Sequence, residues 1–154
     1  MTDPARHGYI VVELAAEQTH ALRLAVLRND TPTTSVVFDG DDLTGTVHLG
    51  VSASDVGGDG IVAISTWVPK SIGGEPAVQL RGMATAQSVR GTGVGVMLLA
   101  EGCRRASAVA PLVWARARDT ALGFYTRNGF DVVGEGFVDP STGKPHHVIV
   151  RRST

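Results

Sequence analysis

Residues 89–99 contain the residue types best suited to hold an anion. Their sequence is Val-Arg-Gly-Thr-Gly-Val-Gly-Val-Met-Leu-Leu, a glycine-rich turn followed directly by an apolar helical pattern. The first N–H groups of a helix have no intrahelical partner, and glycine lets a ligand come close to them. Such a junction can bind a phosphate or a pyrophosphate. Glycines after a strand also form simple tight turns, so this stretch alone leaves both interpretations open.

A second group, residues 121–130, could supply a proton donor. The sequence Ala-Leu-Gly-Phe-Tyr-Thr-Arg-Asn-Gly-Phe places an aromatic pair on a predicted helix. The phenol of Tyr125 can return a proton to a thiolate leaving group if it faces the same crevice as the glycine-rich loop. Simple packing of the ring is the alternative.

Composition and motif spacing disfavour several other classes of protein. The 154 residues have a formal net charge of -1, so the chain lacks the basic excess of an electrostatic nucleic-acid binder. Residues 1–8 are polar and no apolar run could span a bilayer, which favours a cytoplasmic protein without a membrane partner. No metal-ligand spacing is present. The glycine-rich loop matches neither a Walker loop nor a dinucleotide fingerprint, which disfavours ATP hydrolysis and hydride transfer.

The rest of the sequence predicts the elements that position these two stretches. Strands are predicted at 9–14, 44–53, 60–68, 77–85, 112–117, 130–138 and 146–151, and helices at 17–29, 93–109 and 119–128, with Asp119 as a cap and turns at 54–59 and 139–145. This order favours one α/β domain over residues 1–154 with a flexible N-terminus at 1–8. Its mixed, mostly antiparallel central sheet would have helices on both faces.

Together, the two stretches resemble the GNAT superfamily of acetyltransferases. The acetyl-CoA loop of that family has Arg or Gln-x-x-Gly-x-Gly or Ala, as at residues 90–95, and its later helix has Phe-Tyr-x-x-x-Gly-Phe, as at 124–130. Residues 80–85 resemble the strand before the loop. The variant at 81–83 and the Gly-x-Pro-His at 143–146 are most similar to small stand-alone bacterial members of an ElaA-like type.

The resemblance implies an acetyl-CoA-dependent N-acetyltransferase that acts by direct attack of a primary amine of a small molecule or peptide. The strand backbone would pair with pantetheine, and the loop amides would bind the pyrophosphate. The residues that it assigns to the cofactor are Met83, Ala84, Thr85, Arg90, Gly91, Thr92, Gly93, Val94, Gly95 and Val96. Tyr125 matches the usual general acid. Members of the family often pair, so a homodimer is compatible with the resemblance.

Two parts of the site depart from the family pattern or stay open. Many members have an asparagine seven positions before the tyrosine, where this chain has Arg118; it either contacts phosphate or lies at a strand end. The candidate general bases are Glu75, Glu135, Asp139, His48, His146 and His147. His146 is favoured because it follows Pro145 in the Gly-x-Pro-His tail. In a strand, His146 and His147 would point to opposite faces.

Two further alternatives and the choice of acceptor concern function. A module that binds acyl-CoA as a sensor, without transfer, is the alternative to the enzyme. Cys103 is either a small core residue or a nucleophile, and its apolar helical surroundings favour the core. Selection of the acceptor would fall to residues 29–42, 69–76 and 140–147, none of which has an anion or aromatic cage pattern.

Overall fold

The chain forms a seven-stranded sheet with helices on both faces in the computed structural model, which describes residues 8–53 and 60–153. The strands are β1 (Tyr9–Leu14), β2 (Val47–Ala53), β3 (Ile61–Pro69), β4 (Val78–Thr85), β5 (Leu112–Arg118), β6 (Asp131–Val138) and β7 (Pro145–Arg152). The helices are α1, which joins a 3₁₀ turn (Ala16–Thr19), an α turn (His20–Leu22) and a π turn (Arg23–Leu27), then α2 (Val94–Ser107) and α3 (Leu122–Arg127). The N-terminus predicted to be flexible, apart from Gly8, and the turn predicted at 54–59 lie outside the described residues.

The sheet is antiparallel except at its centre, in the order β1-β2-β3-β4-β5-β7-β6. The parallel pairing of β4 with β5 joins Val78 to Val113 and Gln79 to Trp114, near the start of both strands. Beyond these pairs β4 continues to Thr85 without a partner on β5, so the two strands part toward their C-terminal ends. The predicted mixed, mostly antiparallel sheet is confirmed, and it has an opening at its centre.

A β-bulge at Gly82 bends the part of β4 that borders this opening. Ile64 of β3 pairs with Ala84 but Thr66 pairs with Arg81, which leaves one extra residue on β4. Gly82 has a φ of 59°, and an added Cβ would lie 3.0 Å from the ring of Phe38. Glycine is therefore required both by the backbone conformation and by the close packing of the loop before β2.

The largest apolar cluster lies between the sheet and the α2–α3 side. Leu98, Cys103 and Tyr125 belong to it, and burial raises the pKa of the Cys103 thiol, although Arg151 acts in the opposite direction. The interpretation of Cys103 as a core residue is thus confirmed. α1 packs on the other face against Leu14, Ile64 and Ala84. Among the described helices, none is both long and apolar enough to cross a membrane.

Two predicted helices differ in detail from the structure. The helix predicted at 17–29 ends in a π turn, closed by the bond from the Arg28 amide to the Arg23 carbonyl (3.0 Å). Asp119 does not cap α3 with its side chain; it lies in a 3₁₀ turn and its carboxylate contacts Nδ1 of His147 at 2.7 Å. A tertiary contact competes successfully with the local cap in this case.

Candidate active site

The start of α2 presents a row of free amide groups. Within the described residues, the N–H groups of Gly91, Gly93, Val94, Gly95 and Val96 donate no hydrogen bond to the protein. Gly93 adopts a φ of 89°, which a side chain would strain, and it starts the helix without a side-chain cap. Unpaired donors at the positive end of a 14-residue helix favour an anionic ligand.

The predicted pantetheine-binding strand lies directly beside this loop. Ala84 and Thr85 pair with β3 on one side, while the β5 side of the strand has no strand partner beyond Gln79 in the described chain. The start of α2 lies close to the end of the strand, since a Cβ added to Gly95 would lie 3.5 Å from Oγ1 of Thr85. The free strand edge and the free amides therefore form one continuous surface.

Tyr125 lies on α3 with its ring buried in the core. The ring makes edge contacts with Phe124 (5.2 Å between centroids) and Phe130 (5.5 Å). Burial, with a smaller contribution from Cys103, raises the pKa of the phenol far above its ordinary value. The phenol is therefore protonated at neutral pH and can act only as a proton donor there. An added Cβ at Gly95 would lie 3.5 Å from the ring of Phe124, so α3 lies beside the glycine-rich loop.

His146 is buried on the opposite face of the sheet, close to the end of β5. Its backbone pairs with Arg118 and its ring stacks on Phe137 at 5.8 Å between centroids. Nδ1 lies 2.8 Å from the carbonyl oxygen of Lys144, and a carbonyl only accepts, so Nδ1 carries a proton. In the neutral ring Nε2 is then an available proton acceptor. His147 contacts Asp119 on the α3 side, so the two histidines lie on opposite faces as expected.

The other candidate bases have structural partners or lie on the periphery. His48 is bonded at both nitrogens, to Oγ1 of Thr66 (2.8 Å) and to the carbonyl of Asp41 (3.3 Å). Glu75 forms a two-bond ion pair with Arg152, and Glu135 is exposed on β6. Asp139 accepts three bonds from residues 141 and 142 in its own turn. Among the candidates, His146 and His147 each have an Nε2 outside the described hydrogen bonds, and His146 is the one that lies on the α1 face, paired with the end of β5.

Arg118 lies on the α1 face rather than beside the glycine-rich loop. Its Nη2 donates to the carbonyl of Leu27, at the end of α1. Alternate residues of β5 belong to different apolar clusters, Val113, Ala115 and Ala117 on the α2 side and Leu112 and Trp114 on the other. By this alternation the side chain of Arg118 points away from α2. Its hydrogen bond is therefore made on the α1 face, and it does not lie beside the loop amides.

The residues that shape the α1 face were not among those predicted from the sequence. Arg23 is fully buried and forms a two-bond ion pair with Asp41 (2.7 and 2.9 Å). Its guanidinium stacks 4.0 Å above the ring of Phe38. The sequence contains only one hint of this arrangement, a charged residue within the apolar spacing of α1, because the partners lie in a distant loop.

Comparisons with known proteins identify the family of the chain. The chain matches the acetyltransferase (GNAT) family model over residues 6–130. It is 26% identical over 147 residues to the uncharacterized N-acetyltransferase YitI of Bacillus subtilis (strain 168), covering 93% of this chain and 95% of that protein. Escherichia coli ElaA has a similar structure, with a TM-score of 0.75, 20% identity and coverage of 94% and 99%. The structure of an aminoglycoside 6'-N-acetyltransferase complexed with coenzyme A is also similar, with a TM-score of 0.69 and 13% sequence identity. The match covers 93% of this chain and 96% of that one.

The family match spans most of the chain and includes both motif regions, the glycine-rich loop and the aromatic pair of α3. The solved structures share the fold across nearly the full length of both chains. The family resemblance, the fold and the assignment as an N-acetyltransferase that uses acyl-CoA are therefore confirmed. The chain belongs to the GNAT family of acetyltransferases.

Proposed function

We propose that this protein transfers an acetyl group from acetyl-CoA to a primary amine of a small molecule or peptide by direct attack. The observation that supports this most is the row of unpaired amides at the start of α2, next to the free edge of β4. The amides suit the pyrophosphate and the strand edge suits the amide-rich pantetheine arm.

The space around the loop fits a ligand at close range. An added Cβ at Gly91 would meet nothing within 4 Å, so the approach to the amides is open from that side. Arg90 is exposed beside the loop and could add a positive charge toward the phosphates. The cofactor role of residues 83–85 and 90–96 rests on this fit.

The chemical step would use one group on each face of the sheet. The amine nitrogen forms a bond to the acetyl carbonyl carbon, and the carbon–sulfur bond breaks. Nε2 of His146 accepts the proton that the amine loses, because Nδ1 is already protonated. The phenol of Tyr125, which is protonated at neutral pH, gives its proton to the leaving thiolate.

Acetyl-CoA binding is the first test, measured by calorimetry and by the melting temperature. At a hundredfold excess over Kd, a ligand stabilises the folded state by about 2.7 kcal/mol, so we expect an increase of roughly 5–10 °C. Gly91→Val should abolish most of this binding. Gly73→Val is the matched control, because Gly73 also has a positive φ (57° against 81°) and open space around it.

Release of CoA thiol with a panel of amines is the second test. Turnover above the rate with buffer supports the enzyme. Tight binding of acetyl-CoA without turnover of any amine would contradict it and favour the sensor. If acetyl-CoA fails to bind, or if both glycine variants lose affinity equally, the proposed use of the loop is wrong.

A further inference from the structure

Five arginines from three separate segments gather on the α1 face, where β4 and β5 part. They are Arg23 in α1, Arg28 directly after α1, Arg81 in β4, and Arg116 and Arg118 in β5. The guanidinium carbons of Arg23, Arg28 and Arg81 lie 4.0, 4.7 and 5.8 Å from the centroid of the Phe38 ring. We call this group the arginine cluster.

The positive charges of the cluster act on one another. Burial lowers the pKa of Arg28, and the charge of Arg118 lowers it further, whereas Asp139 acts in the opposite direction. Burial also lowers the pKa of Arg81; Asp39 opposes this and Arg116 adds to it. Like charges held this close repel each other, so their arrangement costs free energy in the absence of an anion.

Most of the cluster has no carboxylate partner. Asp41 compensates Arg23, but in the described chain no carboxylate lies within 4.0 Å of the guanidinium nitrogens of Arg28, Arg81, Arg116 or Arg118. Three of these four instead donate to backbone carbonyls. Arg28 donates to Ser35 (2.7 Å), Arg81 to Asp39 (3.0 Å) and Arg118 to Leu27. A carbonyl orients a guanidinium without neutralising it. The remaining N–H groups are free to bind an anion.

The cluster also lies next to the proposed base. Arg118 pairs through its backbone with His146, and residues 116 and 118 alternate onto the same face as residue 146. The amides of the glycine-rich loop belong to α2, on the other face of the sheet. A molecule bound at the cluster would therefore approach the opening between β4 and β5 from the side opposite to the donor.

We propose that the amine acceptor is a small molecule that also bears an anionic group, a carboxylate or a phosphate, which Arg28, Arg81 and Arg118 bind. The planar guanidinium binds either group through two parallel hydrogen bonds, so the shared chemistry is the oxyanion. Arg23, fully buried and paired with Asp41, positions Phe38 and the loop instead of binding the ligand. This inference rests on the proposed acetyl transfer, and its test separates the two.

Pairs of amines that differ only in the anion provide the test on the unaltered enzyme. An amino acid is compared with its amide, and an aminoalkyl phosphate with the parent amino alcohol. We expect kcat/KM to be about 10- to 100-fold higher for the anionic member of at least one pair. The pair that shows the effect identifies carboxylate or phosphate as the group. Equal or better use of the neutral members would overturn the inference while leaving acetyl transfer intact.

Charge-removing variants then locate the effect. Arg81→Gln and Arg118→Gln should lower kcat/KM for the anionic amine about tenfold or more, with little change for the neutral amine and for acetyl-CoA affinity. Arg104→Gln, which removes an exposed arginine of α2, is the matched control. Equal losses for both amines, or a loss of acetyl-CoA affinity in Arg118→Gln, would refute the assignment. Arg81→Lys retains the positive charge and should recover part of the preference for the anionic amine. It also keeps the test valid if Arg81→Gln fails to fold.

Discussion

Asp41→Asn tests whether a buried ion pair builds the acceptor side of the site. The carboxylate of Asp41 accepts two bonds from Arg23, at 2.7 and 2.9 Å, and one from the amide of Phe38 at 2.9 Å. The side chains of Arg23 and Asp41 are 0% and 4% exposed. The substitution leaves a full positive charge in the interior without its counter-charge.

The expected loss of stability follows from this burial. Removing one partner of a buried pair costs about 3–5 kcal/mol, because the other charge cannot regain water. Asparagine retains one oxygen that can accept from Arg23, so we expect the lower end, about 3 kcal/mol. For a chain of this length that corresponds to a decrease of roughly 6–12 °C in melting temperature.

The functional consequence should be confined to the acceptor. The loop that Asp41 anchors also provides the ring of Phe38 and the carbonyls of Ser35 and Asp39, which hold Arg28 and Arg81. A loosened loop should lower kcat/KM for the acceptor by about tenfold. The amides that would bind acetyl-CoA lie on α2, so the Kd for acetyl-CoA should not change.

Urea unfolding and steady-state kinetics measure the two effects. Asp42→Asn is the control, since the neighbouring residue is exposed and the substitution removes the same charge. A loss below 1 kcal/mol in Asp41→Asn, or equal losses in both variants, would refute the reasoning about burial. Weaker acetyl-CoA binding in Asp41→Asn would refute the separation of donor and acceptor sides.

The same pair predicts a pH dependence of stability. Burial alone would raise the pKa of Asp41, but the bonds from Arg23 and the Phe38 amide outweigh burial and hold the pKa below its ordinary value. A carboxyl with a lowered pKa in the folded state stabilises fully above its unfolded pKa, and this stabilisation is lost as the pH falls through the folded pKa. The stability difference between wild type and Asp41→Asn should therefore be constant near neutral pH and shrink below about pH 4. A difference that does not depend on pH down to about pH 2 would contradict this role.

Four other substitutions test the core and the chemistry. Gly102→Ala should destabilise the protein by about 2–4 kcal/mol in urea unfolding, because the added Cβ would lie 1.8 Å from the Trp67 ring. Gly95→Ala is the control: its added Cβ has contacts only at 3.5 Å, so the variant should be neutral or more stable by up to about 1 kcal/mol. Equal effects of the two substitutions would contradict the packing argument. Tyr125→Phe should lower kcat about 10- to 100-fold with an unchanged Kd for acetyl-CoA, and full activity would exclude proton transfer. His146→Gln should lower kcat about 100-fold with an unchanged Kd for acetyl-CoA, and full activity would show that another group is the base.

Several parts of the fold and the site were accessible from sequence because their causes are local. Alternating or β-branched apolar runs predicted the strands, and an apolar stripe predicted α2. The glycine-rich loop combines a tight turn with a helix start in a few consecutive residues, so its conformation depends little on the rest of the chain. Tyr125 was found through a short motif that ends at Gly129 and Phe130.

Tertiary structure alone decided which distant residues meet. The insertion of β7 between β5 and β6 brings His146 next to Arg118, and the parting of β4 from β5 makes the opening. Asp119 binds His147 instead of capping α3, and Arg23 is buried because Asp41, 18 residues away, compensates its charge. The arginine cluster has no sequence pattern, since its members come from separate segments. Local sequence determined the loop proposed to hold the donor, whereas the summed long-range packing and charge compensation decided which side chains surround the proposed acceptor side.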